Sequence, residues 1–256
     1  LHPLGIKELA APREIRIALA MFSLLHWIAP GGGGMKLRIA ALAALQAEVF
    51  EALAATRMPR NAARAVLAVT KELVRSRHDQ LRRLELARQM RLALSGQPRI
   101  VRRILRHYKL LEMPESGNQL TFDHHVHDAN SKGRKAAAHL VLDAWIKGIR
   151  ALEVVYYDDV PDAAAEELLR AAEVMKICAS IGVAHQTLWR DNRLVELIFT
   201  LDDCASPEAF RRQFAAERMM RFREQCRAAA EYRGRLVAAM LEDFNARGRL
   251  ALNRDF

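Results

Sequence analysis

The chain has 256 residues, 51% of them hydrophobic and 27% charged. That balance excludes a disordered polypeptide and gives length for one good core or two smaller ones. Ala and Leu dominate and Gly and Pro are sparse, so most of the length is expected to be helical.

Three cysteines, Cys178, Cys204 and Cys226, are too widely spaced for a zinc knuckle and too few for a disulfide framework, and read as reduced thiols of a cytoplasmic protein. The apolar run from Ile17 to Ala29 contains His26 and falls short of the ~20 residues a membrane span requires. Glu8 and Glu14 upstream do not suit a signal peptide. A buried helix is expected there, with no membrane partner. The chain opens on Leu1 and closes on "LALNRDF", the pattern of a piece of a longer polypeptide.

The net charge of +10 is unevenly placed: residues 1–118 carry 20 Lys and Arg against 9 Asp and Glu, residues 119–256 carry 20 against 21. Two regions are expected, a basic helical one over 1–118 and a β/α unit over 119–256. In the first, a hinge at "PGGGG" (30–34) precedes Leu42, Leu45, Val49 and Leu53 at helical spacing; Pro59 interrupts, and helices continue to "SGQP" (95–98). The segment "PRIVRRILRHYKLL" is amphipathic. Arg99, Arg102, Arg103 and Arg106 form one face and Ile100, Val101, Ile104, Leu105 and Tyr108 the other, so the arginines are candidates for weak polyanion or nucleic-acid binding.

From Leu120 the pattern alternates: "LTFDHHVH", "AAAHLVLDAWIKG", "LEVVYYD", "DAAAEELLRAAEVMKI", "ASIGVA", "LVELIFTLDD", "SPEAFRRQFA". Strands alternating with helices predict parallel β/α units, and a parallel sheet places its site at the carboxyl ends of its strands. A long helix over 216–248 follows, with Phe222, Cys226, Val237, Met240, Leu241 and Phe244 as its apolar stripe. The expected fold class is α/β: an N-terminal all-α region, a partial barrel-like parallel sheet and a long C-terminal helix.

"FDHHVHD" puts three histidines and two aspartates within six residues. Strand alternation sends Phe122, His124 and Val126 toward the packing helices and leaves Asp123, His125 and His127 on the interior face. Two imidazoles at i, i+2 on one strand suit a shared divalent metal such as zinc, manganese or iron. The loop "NSKGRK" places Lys132, Arg134 and Lys135 above the strand ends, where cations suit a substrate phosphate.

These residues resemble the opening of the PHP superfamily, the polymerase and histidinol phosphatase barrels, with the amidohydrolases as neighbours through the first-strand HxH. The resemblance covers roughly residues 119–203. It implies a metal-dependent hydrolase acting on a small phosphorylated substrate, with Asp123, His125 and His127 on the metal. Asp158 and Asp159 stand where the family has Asp-His, and are the implied catalytic carboxylates. Ala184 stands where the family has a bridging glutamate; His185 beside it faces inward only through a bulge. The alternative is a non-catalytic scaffold or nucleic-acid-binding protein that uses the Arg-rich helices.

Overall fold

The computed structural model describes residues 12–27, 34–76, 78–115, 121–190, 193–200 and 206–252; most of the expected hinge (30–33) and Cys204 lie outside the described residues. Five helices come first: α1 (Pro12–His26), α2 (Met35–Leu53), α3 (Pro59–Arg75), α4 (Gln80–Leu94) and α5 (Pro98–His107). Their starts follow local chemistry. Pro59 and Pro98 occupy the first turn, where no amide partner is lost, and the Asp79 carboxylate accepts from Arg82 N at 2.8 Å to cap α4. The apolar run expected as a buried helix is α1, which buries Ile17, Met21, Leu24 and Leu25.

The β/α region contributes β1 (Phe122–Val126), α6 (Ala137–Lys147), β2 (Ala151–Tyr157), α7 (Asp162–Met175), β3 (Cys178–Trp189), β4 (Arg193–Thr200), α8 (Pro207–Phe214) and α9 (Glu217–Leu252). Gly148 and Lys176, both left-handed at φ 93° and 54°, end α6 and α7. The sheet order is β1-β2-β3-β4, and the first three strands are parallel. β4 departs from the parallel expectation: no helix separates it from β3, so it returns antiparallel and draws β3 out to twelve residues. The sheet curls into a half-barrel.

Leu152, Val154 and Tyr156 of β2 and Ile181 and Val183 of β3 point to the helix side, where they are buried. One hydrophobic cluster runs continuously from Ile17 on α1 to Phe214 on α8, because α2 and α3 pack on the outside of α6 and α7. Polar ties cross the same boundary. Arg38 of α2 and Glu167 of α7 form a buried ion pair, and Arg64 of α3 donates to the carbonyls of Ile146 and Lys147 at the end of α6. Lys71 of α3 and Lys135 both bind the carboxylate of Asp143.

His139 lies against this last cluster, 3% exposed. Arg75 donates to its Nε2 at 3.4 Å, which places the ring proton on Nδ1, a buried atom with no partner. Burial, with help from Lys71, Arg75 and Lys135 and against the pull of Asp143, lowers its pKa from 6.5 to about 4. The folded ring therefore stays neutral where the unfolded ring takes up a proton, so stability is full above about pH 6.5 and falls as pH drops toward 4. Between pH 7 and pH 5 the expected loss is about 2 kcal/mol. Urea unfolding of His139→Gln at the two pH values should show a shallower loss than wild type; an equal loss in both would assign it to other groups.

α9 carries the expected long helix, and its first half meets the body. Cys226 is buried, whereas Val237, Met240, Leu241 and Phe244 of the same stripe are 41–63% exposed. Among the described residues no helix is long and apolar enough to cross a membrane.

Candidate functional site

Strand pairing decides where each histidine goes. Phe122 pairs with Ala151 and Asp123 with Leu152, but the next partner of β2, Val154, meets Val126, so three steps along β1 oppose two along β2. This bulge absorbs one residue at His124–His125. Before and after it, Asp123 and Val126 share the helix side with Leu152 and Val154, and His124, His125 and His127 all fall on the concave side. The alternation that sent His124 toward the helices holds for a regular strand only. Its ring lies on Phe122, centroids 4.7 Å apart, and its Nδ1 is 3.3 Å from the carboxylate of Glu153.

His125 and His127 stand together at the carboxyl end of β1, rings nearly perpendicular with centroids 5.1 Å apart. His127 also stacks on Tyr157, at 5.3 Å and 20°. Its Nδ1 is 2.8 Å from the backbone oxygen of Val155 and 3.0 Å from the Ser131 hydroxyl. A carbonyl oxygen only accepts, so Nδ1 carries the proton and Nε2 keeps its lone pair. His125 is exposed.

The loop after β1 holds this arrangement. Asp128 is fully buried, and its carboxylate accepts from Asn130 N at 2.8 Å, Asn130 Nδ2 at 3.0 Å and Tyr156 Oη at 2.9 Å. Its own carbonyl accepts from the amides of Ser131 and Gly133. Gly133 passes so close to the carbonyl of His127 that any side chain there would collide with it. Lys132 then lies over the Tyr157 ring, 4.0 Å from its centroid. Lys135 turns back to Asp143, and Arg134 has no charged partner among the described residues.

The remaining sequence candidates lie apart from the histidine pair. Asp158, left-handed at φ 61°, is bound by His185 Nδ1 at 3.0 Å and by Arg233 of α9. Asp159 accepts from Arg223 at 2.6 Å and Arg227 at 3.0 Å; burial works to raise its pKa, but these guanidiniums hold it below the ordinary carboxylate value. The two carboxylates thus dock α9. β3 keeps regular register through this stretch, so Ala184 pairs with Tyr157 on the concave side and His185 points to the other. There His185 meets Cys226 at 3.7 Å and the ring of Phe222.

Sequence reasoning missed Asp128 and Glu153. Glu153 is a carboxylate buried on the concave side of β2, where Thr200 donates to Oε1 at 2.6 Å. Gly182 makes room for it: a Cβ there would stand 3.0 Å from that same oxygen. The available signal was a lone acid in the otherwise apolar run "ALEVVYY". Among the described residues no three His, Cys, Asp or Glu side chains gather as a metal-holding group. The donor set is two imidazoles, one with its tautomer fixed for ligation. Family models, curated proteins and solved structures gave no match to this chain.

Proposed function

We propose that the chain is a metal-dependent hydrolase of PHP-like type acting on a phosphoester, with a zinc, manganese or iron ion held by His125 and His127. The observation that carries this reading is the contact of His127 Nδ1 with the carbonyl of Val155, the backbone support that orients a metal-binding imidazole and leaves Nε2 for the ion. Such an ion, when bound, supplies a water acidic enough to give hydroxide near neutral pH.

The chain's own residues do the rest. Tyr157 and Ser131 fix the plane of His127, and Lys132, set at the concave rim by the loop that Asp128 closes, takes a phosphate oxygen of a small phosphorylated substrate; Arg134 adds charge beside it. Glu153 is a buried carboxylate on the same face and serves as the proton acceptor, since Asp158 and Asp159 are committed to α9. A cytoplasmic setting, which keeps Cys178 and Cys226 free, belongs to the same reading.

Hydrolysis of p-nitrophenyl phosphate and its bis-ester should require added Mn²⁺ or Zn²⁺. It should be lost in His127→Ala and fall about tenfold or more in Glu153→Gln, the scale of a general base. Turnover that persists in chelator, or in His127→Ala, would rule the reading out.

A second reading has its own observation. On α5 Arg102 is paired with Glu112, but Arg99, Arg103 and Arg106 are exposed and meet no acid among the described residues. Three such cations suit a scaffold that binds polyanions weakly. Affinity for labelled single-stranded RNA should fall with log salt at a slope of about −2, and Arg103→Ala should make it shallower by nearly one. No binding at low salt would leave α5 as a solvated face.

A further inference from the structure

At the rim of the sheet opposite His125, below the starts of β2 and β3, a cleft of about 310 Å³ opens between α2, α3 and the ends of α6 and α7. Its body is apolar. Phe50 and Trp145 meet edge to face across it, centroids 5.2 Å apart, and Met113 packs on Gly148 at its mouth. Its charge has one sign: Arg60, Arg150 and Lys176 line it, and no Asp or Glu does.

The deeper cation, Arg64, is accounted for by the fold. It donates to the carbonyls of Ile146, Lys147 and Leu111 and to Asn61 Oδ1, closing the C-terminus of α6. The nearby Glu115 carboxylate is taken by the amides of Arg60 and Asn61 and by Asn61 Nδ2. The side chains of Arg60, Arg150 and Lys176 have no such partner among the described residues. Three like charges around one concavity repel each other unless an anion joins them, and a cavity of a few hundred Å³ with aromatic walls and a few convergent polar groups has the form of a small-molecule site.

We infer that this cleft binds a small organic anion, a phosphate or carboxylate head among Arg60, Arg150 and Lys176 with an aryl body against Phe50 and Trp145. It is separate from the histidine site and does not depend on it. Guanidinium forks favour either head through paired hydrogen bonds.

Calorimetric titration of the full chain at low salt with phenyl phosphate, benzoate and phenol tests it. At least one of the two anions should bind tenfold or more tightly than phenol, and the tighter one identifies the head. Arg60→Gln/Arg150→Gln should weaken that anion at least tenfold, and Lys176→Gln, on the surface where folding is not at stake, should weaken it about threefold. Lys132→Met should leave it unchanged, which separates this cleft from the histidine site. Binding of phenol as tight as either anion, no binding of any probe, binding that survives the arginine substitutions, or binding lost in Lys132→Met would each overturn the inference.

Discussion

Arg38→Ala is expected to destabilise the chain by about 3–5 kcal/mol, the cost of breaking a buried ion pair from one side. Arg38 donates to both oxygens of Glu167, at 2.8 and 2.5 Å, and to the carbonyl of Trp27. Glu167 also accepts from Ala138 N at 3.1 Å. Removing the guanidinium leaves a carboxylate 5% exposed with one amide for company. The pair joins α2 to α7 and the first turn of α6, so its loss weakens the contact between the N-terminal helices and the layer that backs the sheet. Arg38→Met/Glu167→Leu should recover most of the loss, since the desolvation penalty of both ions disappears together. Urea unfolding of the single and double variants measures this. A cost below about 1 kcal/mol for Arg38→Ala would mean that water screens the pair as it does at a surface.

Much of the fold was legible. Proline and aspartate at helix starts, helical spacing at Leu42, Leu45, Val49 and Leu53, and apolar β-type runs at Leu152–Tyr157 and Ile181–Ala184 each point to the element that forms. What was not legible came from pairing. The antiparallel return of β4 follows from the connection after Trp189, which is too short for the crossover helix that a parallel strand needs. α9 presents the same apolar stripe whether or not anything covers it, and only its contacts show that Cys226 packs while Met240 does not.

The site divides in the same way. His125 and His127 share a face whether the strand is regular or bulged, because alternation is kept from His125 through Val126 to His127. His124 and Asp123 depend on the bulge: the extra residue leaves Asp123 on the helix side and brings His124 to Glu153. Asp158 and Asp159 were readable as carboxylates at a strand end, but their partners, Arg223, Arg227 and Arg233, come from more than sixty residues away and no local pattern announces them. Glu153 was hidden by its apolar neighbours, and its reason is the space left by Gly182, again a neighbour in the sheet and not in the chain.

Binding of one divalent ion by His125 and His127 is the claim on which the functional account turns, and its loss is the second large effect expected. Each imidazole is one of the two donors proposed to hold the ion, so removing either should lower affinity by more than the 10–100-fold typical of a supporting residue. His185→Ala, on the opposite face, serves as the control. Direct titration of metal-stripped protein with Zn²⁺ or Mn²⁺, read by calorimetry, should show one ion per chain in wild type and in His185→Ala, and none in His125→Ala or His127→Ala. Equal binding by all four proteins, or none by wild type, would contradict the account.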